Sequence, residues 1–103
     1  MKIRFLYFDG CPNVTPTIHL LRQILAEEKV DSEIEMVEIN DYEMAKREHF
    51  PGSPTIQIDG KDIEDRKESS PATFGCRVYK TKDGLSGIPP EELIRNAIKS
   101  AKK

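Results

Sequence analysis

The chain has 103 residues, of which 33% are charged and 37% hydrophobic, and its formal net charge is -2. This length suits one compact domain, residues 1–103, whose core needs no disulfide or metal for stability. The nearly balanced charge gives no electrostatic reason to expect nucleic acid or a membrane surface as a partner. The N-terminal apolar run is too short for a signal peptide, so we expect a cytoplasmic protein, and we expect it to be a monomer.

The chain begins with a predicted strand followed by a helix. Residues 3–8 are almost continuously apolar and rich in aromatic side chains, which is typical of a strand covered on both faces. A helix is predicted from about Val14 to Lys29, with Pro16 in its first turn. Its apolar positions recur every three or four residues, at Val14, Ile18, Leu21 and Leu25.

A second strand and a shorter helix are predicted next. The strand is marked by four apolar residues, Ile34, Met36, Val37 and Ile39. The helix covers about residues 41–50, with Asn40 or Asp41 as its N-cap, and Pro51-Gly52 ends it.

The last part of the chain leaves one assignment open. A third strand is predicted over residues 55–58, and the Asp59-Gly60 turn favours a hairpin that returns through residues 61–64. Residues 76–80 also alternate like a strand and compete for the fourth position in the sheet. Residues 64–75 are predicted to form a loop.

A final helix opens at Pro90, with Glu91 and Glu92 suiting its first turn. The predicted order is β-α-β-α-β-β-α, which favours a three-layer α/β sandwich. Crossover rules place the first two strands side by side and parallel.

One cysteine stands where thiol chemistry is favoured. In Asp9-Gly10-Cys11-Pro12-Asn13, Cys11 follows the first strand and precedes the first helix. The unpaired N–H groups and the dipole of a helix N-terminus favour a thiolate over a thiol. We therefore expect Cys11 to be a solvent-accessible nucleophile.

The Cys11-Pro12-x-x turn, together with Gly52-Ser53-Pro54-Thr55 before the third strand, resembles the thioredoxin-like family. Pro12 directly after the cysteine is more similar to glutaredoxins than to thioredoxins. The resemblance implies a mixed four-stranded sheet flanked by helices and a cis bond before Pro54. It also implies a substrate groove, in which Ser53 offers its backbone to an extended segment. The groove residues would be Pro12, Asn13, Ser53, Pro54 and Thr55.

The chain departs from the family pattern at Val14, where a second cysteine is usual. A mixed disulfide formed by Cys11 must then be resolved by an external thiol such as glutathione, or by Cys76. Cys76 precedes Arg77, whose charge is expected to lower the pKa of the thiol. Cys76 is too far from Cys11 if residues 76–80 form the fourth strand, and can return to it if residues 61–64 do.

These observations lead to two hypotheses of different classes. The first is a thiol–disulfide oxidoreductase with Cys11, and Cys76 or a small thiol, as its reacting groups. Its substrate would be a protein or small-molecule disulfide. The second is a non-catalytic binding module that retains the groove. No resident metal or cofactor is expected, since the cysteines and histidines lack the spacing of a metal site. Transient capture of a soft metal or metalloid by the two thiols is a third hypothesis.

Overall fold

The structure is a computed structural model that describes residues 1–64 and 72–102. In chain order its elements are β1 (Ile3–Tyr7), α1 (Val14–Glu27), β2 (Ile34–Glu38), α2 (Tyr42–Arg47), β3 (Thr55–Ile58), β4 (Lys61–Asp62), β5 (Tyr79–Thr81), β6 (Gly84–Ser86) and α3 (Glu91–Lys102). The loop predicted over residues 64–75 lies largely outside the described residues.

The main sheet has four strands in the order β2-β1-β3-β4. β1 runs parallel to β2 and antiparallel to β3, and β4 pairs antiparallel with β3. Phe5 of the central strand β1 lies between Met36 of β2 and Ile56 of β3. The mixed α/β class and the parallel pairing of the first two strands are therefore confirmed.

Helices cover both faces of the sheet because apolar side chains of β1 point to both sides. Ile3 and Phe5 pack in one cluster with residues of α1 and α3, among them Leu21 and Ile94. On the other face, Leu6 belongs to a smaller cluster. Its other members are Ile39, Ala45 of α2 and Phe50. The expectation of a first strand buried on both faces is correct.

The helix boundaries follow from local residues. α1 begins at Val14 as predicted, with Pro16 in its first turn, and it ends shortly before Lys29, whose φ of 58° is incompatible with a continuing helix. α2 is capped by Asp41, whose carboxylate accepts a hydrogen bond from the Met44 N–H at 2.8 Å. Among the described residues, no helix has an apolar stretch long enough to cross a bilayer.

The open choice for the fourth strand is settled by the hairpin that follows β3. Asp59 and Gly60 both have positive φ, 52° and 84°, as a tight two-residue turn requires. The turn brings Lys61–Asp62 back against β3. Residues 79–81 pair instead with residues 84–86 in a separate two-stranded sheet, so their placement in the main sheet is excluded.

Candidate functional site

Cys11 lies in the turn that joins β1 to α1. Its N–H donates to the Phe8 carbonyl at 3.3 Å, and its own carbonyl accepts from the Val14 N–H at 3.4 Å. These bonds fix the cysteine one turn before the first helical residue. The residue is only 8% exposed, so the expectation that Cys11 faces solvent is wrong.

The Cys11 thiol is directed at the backbone of Ser53. Its Sγ donates to the Ser53 carbonyl oxygen at 3.8 Å. The peptide bond between Ser53 and Pro54 is cis, as the resemblance implied. Ser53 is fully buried, and its hydroxyl has no hydrogen-bond partner among the described residues.

The segment from Gly75 to Arg77 lies along the same backbone. The Ser53 N–H donates to the Gly75 carbonyl at 2.8 Å, and the Arg77 N–H donates to the Ser53 carbonyl at 2.9 Å. One carbonyl oxygen thus accepts from both the Cys11 thiol and the Arg77 amide. Cys76, between the two paired residues, forms an isolated parallel bridge with Ser53. The bridge thus places Cys76 beside the residue whose carbonyl accepts from the Cys11 thiol.

The two cysteines are free thiols in contrasting environments. Cys11 is buried, whereas Cys76 is exposed. Partial burial of its thiol, the charge of Cys11 and a hydrogen bond with Cys11 together raise the pKa of Cys76. The expectation that Arg77 lowers the pKa of Cys76 is therefore wrong, and the reason lies in the partners of Arg77.

The guanidinium of Arg77 is buried and bound by acceptors. It donates to both carboxylate oxygens of Asp62, at 2.8 and 3.0 Å, and to Glu64 at 3.0 Å. It also donates to the Thr55 hydroxyl at 3.0 Å and lies 4.3 Å from the centre of the Tyr79 ring. We call these five residues the Arg77 cluster. Two carboxylates neutralise the guanidinium, so little of its positive charge remains to act on the neighbouring thiol.

Burial alone would lower the pKa of Arg77. Hydrogen bonding to Asp62, together with the charges around the guanidinium, outweighs burial and raises that pKa. The cluster also extends to the residue after Ser53, because the Tyr79 hydroxyl donates to the Pro54 carbonyl at 2.6 Å. The Arg77 cluster thus connects β3, β4 and β5 next to the two thiols.

Gly52 allows the Gly75–Arg77 segment to approach closely. Its φ is 130°, which L side chains rarely adopt, and a Cβ at this position would lie 2.9 Å from the Cβ of Arg77. A side chain here would push the segment away from Ser53.

The groove residues implied by the resemblance differ in their exposure to solvent. Pro12 is exposed, and Asn13 is the N-cap of α1 but makes no capping bond with its side chain. Its amide instead fills the space beside Gly87, where a Cβ would collide with it. Thr55 is fully buried, and its hydroxyl donates to the Gly52 carbonyl at 2.6 Å. Only Pro12 and Asn13 of this group have exposed surface.

Sequence reasoning missed the Arg77 cluster. It treated Arg77 only as a neighbour of Cys76 and gave Asp62 no role beyond the hairpin. The available signal was an arginine at an alternating, strand-like position, since a buried arginine needs a carboxylate partner. The sequence does not indicate which carboxylate that is.

Among the residues described, no group of three or more histidine, cysteine, aspartate or glutamate side chains could hold a metal ion. Capture of a soft metal by the thiol pair stays a prediction.

In comparisons with known proteins, no protein-family model matches the chain, and no curated protein matches it significantly.

Proposed function

We propose that this protein is a thiol–disulfide oxidoreductase of thioredoxin-like fold, in which Cys11 and Cys76 form an atypical redox pair. The observation that carries the proposal is the shared Ser53 carbonyl, which accepts from the Cys11 thiol and from the residue after Cys76. The fold assignment is supported by the strand order β2-β1-β3-β4 and by the position of Cys11 between β1 and α1.

The proposed reaction has two exchange steps. The Cys11 thiolate attacks one sulfur of a substrate disulfide, breaks the S–S bond and releases one thiolate, which takes up a proton. Cys76, as its thiolate, then attacks the Cys11 sulfur of the mixed disulfide and releases the second thiol. The substrate gains two electrons, and the protein is left with a Cys11–Cys76 disulfide. Two molecules of glutathione would return it to the dithiol.

The geometry favours small disulfides as substrates. Cys11 is nearly buried, while Cys76 beside it is exposed, so a reagent approaches the pair from the side of Cys76. The N–H and carbonyl of Ser53 are already paired with Gly75 and Arg77. An extended peptide would have to displace that segment before it could pair with Ser53.

The test is the reaction of reduced protein with glutathione disulfide, followed by acid quenching and intact-mass measurement. The wild type is expected to form the internal disulfide and to lose two hydrogens. Cys76→Ser is expected to stop at a stable glutathione adduct on Cys11, because the resolving thiol is absent.

Cys11→Ser is the matched control. It cannot form the internal disulfide, and its glutathione adduct on Cys76 should form more slowly than the wild type reacts, because the proposal assigns the first attack to Cys11. If Cys11→Ser reacts as fast as the wild type while Cys76→Ser stays unlabelled, the roles assigned to the two thiols are wrong. If the wild type gives no internal disulfide, the redox pair itself is disproved.

The second candidate function is a binding module without redox chemistry. It is favoured by the low exposure of Cys11 and by the internal pairing of both Ser53 backbone groups. On this hypothesis neither thiol is oxidised by glutathione disulfide in the folded protein, although both react in denaturant. The same mass measurement, with and without guanidinium chloride, separates the two functions.

A further inference from the structure

Arg77 is attached to the rest of the molecule by both its backbone and its side chain. Its N–H donates to Ser53, and its guanidinium makes four hydrogen bonds to Thr55, Asp62 and Glu64. Cys76 precedes it directly. The hydrogen bonds of the Arg77 side chain therefore limit the position of the Cys76 backbone.

The side-chain attachment is rigid for two reasons. The Arg77 side chain is only 4% exposed and that of Asp62 only 15%, so water competes weakly for their hydrogen bonds. The two parallel bonds to Asp62 also fix the plane of the guanidinium. Asp62 belongs to β4, which pairs with Gln57 of β3, so the attachment leads back to the main sheet.

Position matters for this pair because a disulfide needs its two Cα atoms within about 7 Å. Cys76 lies outside the helices and named strands, and its bridge to Ser53 is isolated. Two backbone hydrogen bonds hold the Gly75–Arg77 segment to Ser53, and just before it the Thr73 N–H donates to the Phe50 carbonyl at 2.8 Å and the Phe74 ring packs on Phe8.

We propose that Arg77 is a positioning residue that sets the effective concentration of Cys76 toward Cys11, and thereby the reduction potential of the pair. This inference rests on the proposed function. It deepens that function by assigning control of the redox equilibrium to a salt-bridge network that lies beside the thiols.

The measured reaction is the exchange of the protein dithiol with glutathione disulfide to give the protein disulfide and two molecules of glutathione. Atoms and electrons balance, and the equilibrium constant reports the effective concentration of the two thiols. Arg77→Met is expected to lower this constant about tenfold, which makes the potential about 30 mV less negative. Arg77→Lys keeps the charge but loses the two parallel hydrogen bonds to Asp62. Its equilibrium constant is expected to lie between those of the wild type and Arg77→Met.

Arg95 offers a matched control, because its guanidinium is also bound by carboxylates, three rather than two, but it joins α1 to α3. Its partners are Glu27, Glu28 and Glu91. Arg95→Met should change the stability of the reduced protein and leave the glutathione equilibrium within about twofold of the wild type, since distant sites act independently.

A milder pair of variants applies if Arg77→Met does not fold. Glu64→Gln removes one ion pair of Arg77 at a partly exposed position, and Glu27→Gln does the same for Arg95. Each variant removes one partly exposed ion pair of modest strength. Glu64→Gln is expected to lower the equilibrium constant by about two- to threefold, because Glu64 binds Arg77. Glu27→Gln is expected to leave it unchanged, because Glu27 binds Arg95.

The outcomes separate this inference from the proposed function. If the wild type forms the internal disulfide but Arg77→Met and Glu64→Gln leave the equilibrium constant unchanged, Arg77 has no positioning role and the function stands. An equal shift in Arg77→Met and Arg95→Met would assign the effect to general destabilisation and overturn the inference. Absence of the internal disulfide in the wild type would overturn both.

Discussion

At the scale of single residues, the proposed chemistry depends on one backbone carbonyl. The Ser53 oxygen accepts from the Cys11 thiol at 3.8 Å and from the Arg77 N–H at 2.9 Å. After partial burial, the charge of Cys11 and a hydrogen bond with Cys11 contribute to the raised pKa of Cys76, so this thiol is coupled to Cys11.

This coupling predicts a change in Cys76 when Cys11 is replaced. Partial burial, the Cys11 charge and the Cys11 hydrogen bond raise the pKa of Cys76, and Cys11→Ser removes the second and third of these causes. The pKa of Cys76 should therefore fall toward that of an ordinary cysteine. The rate of iodoacetamide alkylation, measured from pH 6 to 10 in wild type and variant, checks this. An unchanged or higher midpoint in Cys11→Ser would contradict the coupling.

Gly52 gives a second prediction at this scale. Gly52→Ala adds a Cβ that meets the Arg77 Cβ, whereas Gly84→Ala adds one into open space at a similar φ, 125° against 130°. Both substitutions strain the backbone, but only the first also overpacks. Gly52→Ala should therefore lower the free energy of unfolding by about 1–3 kcal/mol more than Gly84→Ala. Urea denaturation of the two variants measures the difference, and equal losses would refute the close approach at Gly52.

At the scale of elements, α1 and α3 are joined by ion pairs as well as by apolar packing. Arg95 of α3 donates to Glu27 at 2.6 Å and to Glu28 at 2.9 Å. The hydrogen bond from Arg95 is the main cause that lowers the pKa of each glutamate. A carboxyl group whose pKa is lower in the folded state stabilises the fold above its unfolded pKa, about 4.3 for glutamate, and loses this contribution as the pH falls further.

We expect the stability of the wild type to decrease as the pH falls below about 4.3, and we expect part of this decrease to require Arg95. Between pH 7 and pH 3 the melting temperature should fall more in the wild type than in Arg95→Met, because the variant has already lost these ion pairs. Thermal unfolding followed by circular dichroism measures both changes. Parallel curves for the two proteins would show that the ion pairs contribute nothing to stability.

The elements also show what sequence patterns can predict. The sequence predicts β1, α1 and β3 to within one or two residues, because each has a strong local signal: a continuous apolar run, a helical stripe, and a strand that follows a helix-ending Pro51-Gly52. The predicted ends of α1 and α2 are too late. Lys29 and His49 adopt a positive φ, which ends each helix, but neither is a glycine, the residue that usually marks such a position.

The candidate site was only partly predictable. Cys11 and the segment before β3 were found from residues that are close in the sequence. The sequence leaves the position of Cys76 open. Cys76 pairs with Ser53, and the next residue, Arg77, forms ion pairs with residues 13 to 15 positions before it. Long-range pairing of this kind leaves no periodicity in the sequence. The low exposure of Cys11 was missed for the same reason.

At the scale of the whole molecule, the proposed disulfide would join two distant parts of the chain. A bond between Cys11 and Cys76 closes a loop of about 65 residues, and the loss of chain entropy in the unfolded state favours folding by about 4 kcal/mol. The oxidised protein should therefore need more urea to unfold than the reduced protein, by up to this free energy. Cys76→Ser, measured with and without oxidant, is the control and should show no difference. Lower stability on oxidation would mean that the disulfide distorts the fold.

The contact between Asn13 and Gly87 has a consequence for how this protein can vary. An Asn side chain can rotate away from an added methyl group at little cost, so position 87 should tolerate small residues as far as folding is concerned. The substitution would nevertheless displace the amide of Asn13, which lies two residues from Cys11 in the sequence. In a mutant library, position 87 is thus expected to be neutral in a screen for stability and sensitive in a screen for thiol reactivity.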